Sequence, residues 1–376
     1  MIHKRTLNDI DINEMKSDSV VCVYGAGKIG VERSQRLQNV LGIRIQYFCD
    51  RDQSKWGNEI LPSIKCLSPL ELAQLKNVVC ILLIGQYYKQ SALNDLAQYS
   101  NIKWVITFDD LIAMDSLIDG ILQEGQYLSG YASDRFDIDA KEIPRISNKT
   151  GKKVAVYTCI TGGYEKPNFP QTIDSSFDYY CIIDQVPLDA PFFNYIEGND
   201  IIPCNISDNT KRNRFAKILG NYIFEEYDYS IYVDGNVQIV GDLSKYMEMM
   251  NKYGIMSHMH VFEDCIYSEA IRVIANGKDD EEIIKTQMNR YRSEGMPRHF
   301  GMLHNAILVR DNRNKMCKEL MRNWWKEVMY GSKRDQLSLT YCLWKMGIKP
   351  EKVGTLGNNM RGNSDFVWTN RHNKRM

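Results

Sequence analysis

The chain has 376 residues, 44% of them hydrophobic and 25% charged, and its 47 Lys and Arg balance 47 Asp and Glu. At roughly 150 residues per domain, that length suggests about two globular domains able to bury their own cores. The composition excludes a disordered or fibrous chain, and the absence of net charge excludes one that wraps long nucleic acid through bulk positive charge; no nucleic-acid partner is expected.

Residues 1–19 are polar and lack the apolar core of an export signal. The longest apolar runs, such as 78–84, are strand-sized, far short of the ~20 residues a membrane helix needs. The ten cysteines show neither C-x-x-C nor zinc spacing, and several sit in apolar strand-like runs, as reduced thiols of a cytoplasmic protein do. A cytoplasmic location is expected, compatible with peripheral association at the inner face of a membrane.

In chain order, strands are predicted at 20–24, 44–48, 78–84 and 104–107, with helical stretches at 29–41, 69–75 and 91–99. Continuous apolar strands separated by helices predict a parallel sheet covered on both faces. The first strand runs into Gly25, Gly27 and Gly30 in G-x-G-x-x-G order, followed by a helix. Gly25 suits a tight turn, Gly27 lets the backbone approach a pyrophosphate, and Gly30 allows close helix–strand packing. Asp50 ends the second strand, where a ribose-binding acid belongs; the alternative is a plain turn carboxylate. These features predict a Rossmann-like accessory domain over residues 1–150. No residue set in 60–150 is placed for hydride transfer, so NAD is the weakest of three readings, beside nucleotide binding and a structural or oligomerising role. The stretch from Tyr47 to Asp52 with Lys55, Trp56 and Gly57 resembles small Rossmann-like domains attached to bacterial glycan-modifying enzymes. That resemblance implies binding or assembly, including a homo-oligomer, rather than redox chemistry.

Residues 141–153 hold Pro144 and a polar run and read as a linker into a second α/β domain over 151–376. Strands there are predicted at 154–157, 179–183, 230–233 and 306–309, and helices at 209–224, 265–275, 281–291, 315–329 and 335–345. Strand 230–233 ends in Asp234, Gly235 and Asn236. A strand-end carboxylate with an oxygen ligand two residues on suits Mn2+ or Mg2+ bridging a diphosphate, although Asn236 lacks the charge of a second Asp; the alternative is a simple turn. Thr158, Gly162 and Gly163 follow the domain's first strand. Arg214 and Lys217 stand three apart on one helix face, suited to a diphosphate unless that face is merely solvated. His304 leads into strand 306–309. Ser332 and Asp335 fit a capping box, while Asp335 with Gln336 at a helix start can also grip sugar hydroxyls. Of His258 and His260, at most one is expected to meet ligand. His372 in the basic tail is a candidate late metal ligand.

Taken in order, segment 154–165, Arg214 with Lys217, 232–236, His258 with 264–270, 287–297, 301–310, Trp324 with Trp325, and 331–338 resemble a glycosyltransferase-like family. That family includes plant turgor-regulation and mucilage-synthesis proteins and bacterial relatives. The likeness covers about residues 152–348. It implies a GT-A-like fold, a nucleotide-sugar donor and a glycan or glycolipid acceptor, in the setting of bacterial surface polysaccharide synthesis. On that reading Asp234 and Asn236 hold the cation with the donor diphosphate. Thr158, Gly162 and Gly163 line the nucleotide, and Arg214 and Lys217 neutralise phosphate charge. Asp335, Gln336, His304 and Glu269 handle sugar hydroxyls, with Asp335 the catalytic base if the enzyme inverts. Two alternatives stand beside it: an NAD-dependent or bifunctional nucleotide-sugar-modifying enzyme, and a non-catalytic nucleotide- or sugar-binding protein.

Overall fold

A computed structural model describes residues 19–122, 138–187 and 192–369. They group into two units, one holding the residues up to 122 together with 267–293, the other holding 138–266 and 294–369.

The first unit is built on β1 (Val20–Tyr24), β2 (Tyr47–Cys49), β3 (Glu59–Leu61), β4 (Ile64–Leu67), β5 (Val78–Leu82) and β6 (Ile102–Thr107), in the order β3-β4-β2-β1-β5-β6. All neighbours pair in parallel except β3 with β4. The Rossmann-like expectation holds: β2 lies on one side of β1 and β5 on the other, so the order reverses at β1. The glycine turn leaves the carboxyl end of β1 at that switch point. Gly25 takes φ +114°, and a Cβ on Gly30 would collide with the Gly25 carbonyl, so both glycines are required by the turn itself. The β3–β4 hairpin was not expected, because strands this short are too brief to display a period.

Helices Ile266–Ala275 and Glu281–Ser293 belong, from residue 267 onward, to this first unit. Arg272 pairs with Asp109 at 2.6 Å, Arg33 Nε donates to Asn276 at 3.2 Å, and Arg292 reaches the Leu122 carbonyl and Asp119, each at 2.7 Å. The grouping therefore differs from a single division at residue 150. Residues 141–153, expected as a linker, are also tied down within the second unit. Ile146 N–H donates to the Ile223 carbonyl at 2.8 Å, Asn148 N–H to Glu226 at 2.7 Å, and Arg145 pairs with Glu225 at 2.6 Å.

The second unit contains β7 (Val154–Ile160), β8 (Phe177–Ile183), β9 (Asn194–Glu197), β10 (Tyr229–Val233), β11 (Val237–Ile239), β12 (Ile255–Met259), β13 (Leu303–Asp311) and β14 (Phe366–Trp368). Its main sheet has the order β12-β13-β10-β7-β8-β9, while β11 and β14 form a separate antiparallel ribbon. Within the main sheet only β13 runs against its neighbours, which is the α/β, GT-A-like arrangement expected of this half. One sheet face packs Val156, Tyr179, Ile231, Val233, Ile307 and Val309 with the ribbon. Tyr157, Tyr232 and Arg310 lie on the other, since side chains alternate along a strand. Because β13 is reversed, its first residues stand beside the carboxyl end of β10, and Asp234 N–H donates to the Ala306 carbonyl at 2.9 Å.

Candidate functional site

The helix Asn209–Ile218 supplies the cations of the site. Asp208 caps it, accepting from Lys211 N–H at 2.9 Å. The expected helix 209–224 is broken at Leu219 and resumes as a short helix, Gly220–Ile223. Buried Arg310 donates to the carbonyls of Lys217 and Ile218, and the Tyr157 hydroxyl to those of Ala216 and Lys217, at 2.7–3.1 Å. These are carbonyls that a longer helix would have bonded itself.

Lys217 is 2% exposed, so it is no solvated basic face. Its Nζ lies 2.9 Å from Asp335 Oδ2 and 3.3 Å from Asp234 Oδ1, while Arg214 Nε lies 3.0 Å from Asp335 Oδ1. The Tyr232 hydroxyl donates to Asp234 at 2.9 Å. Four of the predicted residues thus converge: Arg214, Lys217, Asp234 and Asp335. Burial by itself would raise the Asp335 carboxyl, but the Arg214 and Lys217 charges outweigh it and hold the group well below the usual carboxylate range.

That geometry bears on two expectations. A general base must reach the substrate and accept its proton, whereas Asp335 is 3% exposed and ion-paired through both oxygens. Lys217 is held between the Asp335 and Asp234 carboxylates. Asp335 also forms no capping box. At the start of helix Gln336–Lys345 its side chain makes no cap hydrogen bond, and Ser332 Oγ accepts from Arg334 N–H at 3.1 Å. Gln336 is the half-buried first residue of that helix.

The turn after β10 is fixed from three sides. Val237 N–H donates to the Asp234 carbonyl at 2.9 Å, Asn168 Nδ2 to the Gly235 carbonyl at 2.6 Å, and Thr369 N–H to the Asn236 carbonyl at 2.8 Å. Glu165, which was not among the predicted site residues, lies against Gly235. Burial, then the neighbouring Asp234 carboxylate, pushes its pKa up to about 7. A single loop Glu carries no periodicity; its only sequence signal was its place at the end of segment 154–165.

Thr158 lines a cavity with Asn168, Asp234 and Gly235, and its hydroxyl has no hydrogen-bond partner. Gly162 has φ +70°, donates its N–H to Asp184 at 2.6 Å, and would collide with the Asn209 amide if it carried a Cβ. Its freedom serves helix packing, whereas Gly163 faces open space. His304 pairs across the strands with His258, stacks on His260 with ring centroids 5.7 Å apart, and meets Trp368 edge-on at 5.8 Å. Glu269 is buried in the first unit and pairs with Arg272 at 3.1 Å. His372 lies outside the described residues.

In the glycine turn of the first unit, Asp50 accepts from Ala26 N–H at 2.8 Å and Asp52 N–H at 3.0 Å, and pairs with Lys55 at 2.9 Å. These are the contacts of a turn carboxylate. For a cation, Asp234 and Asn236 offer hard oxygen donors of the kind Mn2+ and Mg2+ accept. Among the described residues no three His, Cys, Asp or Glu side chains gather into a metal-sized group, and no helix is long and apolar enough to cross a membrane.

Residues 202–368 match the family model of the TOD1/MUCI70 glycosyltransferase-like domain. Over that stretch the chain is similar to the TOD1/MUCI70 glycosyltransferase-like domain. Arg214, Lys217, Asp234, His304 and Asp335 fall inside the TOD1/MUCI70 match, while Thr158 and Glu165 precede it. A relative described as "Probable hexosyltransferase MUCI70", from Arabidopsis thaliana, is 22% identical over 241 residues, covering 57% of this chain and 41% of the relative. The chain thus spans about two-fifths of that protein's length. Among solved structures, apo WbbM, a bifunctional glycosyltransferase, matches at 10% identity and TM-score 0.33 over 52% of this chain and 39% of that one. The galactosyltransferase LgtC, solved with donor and acceptor sugar analogues, matches at 9% identity and TM-score 0.27 over 50% and 70%.

The histidine cluster carries a pH prediction. His258 is fully buried, with Nε2 2.8 Å from the Asn363 amide nitrogen, a donor; burial, then His304, pushes its pKa down to about 4. The unfolded chain protonates it near pH 6.5, so stability present above that pH falls as pH drops toward 4, by up to about 3 kcal/mol. In urea unfolding at pH 7 and pH 4.5, His258→Gln should lose about 2–3 kcal/mol less than wild type between the two conditions. Equal losses would show that this imidazole is not held neutral.

Proposed function

We propose that the protein is a glycosyltransferase moving a hexose or related sugar from a nucleotide-sugar donor to a glycan or glycolipid acceptor. The observation that carries this reading is the strand-end Asp234, held by Lys217 and Tyr232 at the carboxyl edge of the sheet in the stretch similar to the TOD1/MUCI70 domain. A bound Mn2+ or Mg2+ would neutralise charge on the departing nucleoside diphosphate, and Asp234 with Asn236 would hold it. The chain's own contribution is positioning. Arg214, Lys217 and Asp335 fix the orientation of Asp234 before substrate arrives, so its carboxylate need not reorganise during the reaction. The same reading extends to work on a surface polysaccharide in the cytoplasm, at or near a membrane. It makes the first unit an accessory domain, because the Asp50 carboxylate is already committed to Ala26, Asp52 and Lys55.

The test is a panel of UDP-, GDP- and dTDP-sugars incubated with the protein and Mn2+, with free nucleoside diphosphate measured by chromatography. At least one donor should be hydrolysed slowly without acceptor. No release from any donor, with or without added glycans, would overturn the assignment. Oxidation or epimerisation of a donor sugar with bound NAD would favour the bifunctional alternative.

A further inference from the structure

The turn after β10 poses a charge problem: a divalent cation at Asp234 and Asn236 would meet a single formal negative charge from the two. The structure brings a second carboxylate to the same turn from another loop. Gly235, between the two ligands, has no Cβ, and the space a Cβ would take is filled by Glu165 Oε1. The loop bearing Glu165 is anchored to this turn three residues later, where Asn168 Nδ2 donates to the Gly235 carbonyl at 2.6 Å and to Thr369 Oγ1 at 2.8 Å. The Asn236 carbonyl is in turn held by Thr369 N–H and Oγ1 at 2.8 and 3.0 Å. Glycine at 235 therefore lets one loop place a carboxylate against the other.

A second feature lies beside Asp234 and Gly235. Thr158, at the carboxyl end of β7, is 7% exposed, and its hydroxyl has no hydrogen-bond partner. It lines the cavity it shares with Asn168, Asp234 and Gly235. A buried hydroxyl is ordinarily hydrogen-bonded, and the cavity, lined otherwise mainly by apolar side chains such as Val156, Val233 and Ile239, has room for about one water beside it.

We propose that Glu165 is a ligand of the divalent cation together with Asp234 and Asn236, supplying the negative charge that Asn236 lacks. Two carboxylates and an amide give a hard, all-oxygen donor set, with the remaining positions left to water and the donor diphosphate. The inference rests on the metal-assisted reading above and deepens it by naming a residue outside the matched 202–368 segment.

The experiment titrates full-length protein with Mn2+ alone, following the free-ion signal by electron paramagnetic resonance, with circular dichroism confirming the fold of each variant. Glu165→Gln should weaken Mn2+ binding by about tenfold or more, since ligand charge sets cation affinity. Asn236→Asp added to Glu165→Gln should restore it, because the lost charge returns within the same turn. Gly235→Ala, whose Cβ displaces the Glu165 carboxylate, should behave as Glu165→Gln does. Wild-type affinity in Glu165→Gln, alongside loss of binding in Asp234→Asn, overturns the role of Glu165 and leaves the Asp234 site standing. Absence of rescue by Asn236→Asp in a folded double variant also overturns it. If wild type takes up no Mn2+, both this inference and the metal-assisted reading fall.

Discussion

Asp335→Ala is expected to destabilise the second unit by about 3–5 kcal/mol, the cost typical of removing one member of a buried ion pair. The reason is what the substitution leaves behind. Lys217 is buried and the Arg214 side chain only 15% exposed, and Asp335 pairs with both, at 2.9 and 3.0 Å. Two desolvated cations then compete for Asp234. Part of the loss should return in Asp335→Ala/Lys217→Met, which removes one stranded charge and fills its space with an apolar chain. The half-exposed pair Lys285–Glu281, at 2.7 Å, provides the comparison: Glu281→Ala should cost no more than about 1 kcal/mol. Urea unfolding of the four proteins measures all these differences. An Asp335→Ala cost no larger than that of Glu281→Ala would mean that the cluster does not hold the site together.

Parts of this arrangement were legible from residue order because they are local. β1 is a continuous apolar run and its glycine turn depends on residue identity alone. The three-residue offset of Arg214 and Lys217 specifies a shared helix face whatever the tertiary fold. What stayed hidden depends on partners far along the chain. Arg310 follows the apolar run 306–309 near the end of its strand, and nothing local says that its guanidinium reaches the carbonyls of Lys217 and Ile218. Asp335 has capping-box spacing to Ser332, a local solution that loses to Arg214 and Lys217, far earlier in the chain. Helices expected at 265–275 and 281–291 form as Ile266–Ala275 and Glu281–Ser293, yet their grouping with the first unit goes with contacts to Asp109, Asp119 and Arg33, which no helical period encodes. Glu165 belongs to the same class: its place is set by a missing side chain at Gly235.

Asp234→Asn should show the opposite pattern to Asp335→Ala: activity lost, fold kept. The amide preserves the shape of the side chain and an oxygen for the Tyr232 hydroxyl, which donates at 2.9 Å in wild type. Lys217 retains Asp335 as its closer partner, at 2.9 Å against 3.3 Å to Asp234, so no buried charge is abandoned and unfolding free energy should change by less than about 1 kcal/mol. Release of nucleoside diphosphate, by contrast, should fall by about 10^2–10^3-fold, the scale of losing one preorganised electrostatic element, here the hold on the cation that would neutralise the departing diphosphate. Both quantities can be read from one preparation, by chromatography of the released diphosphate and by urea unfolding. If Asp234→Asn unfolds as readily as Asp335→Ala, the strand-end carboxylate is a structural member of the buried cluster. If it keeps both stability and turnover, transfer takes place elsewhere on the protein. Only the separation of the two effects fits a carboxylate at Asp234 that the cluster holds while its own side chain stays 27% exposed. A residue reaching out to a ligand must remain partly accessible, and its supports need not.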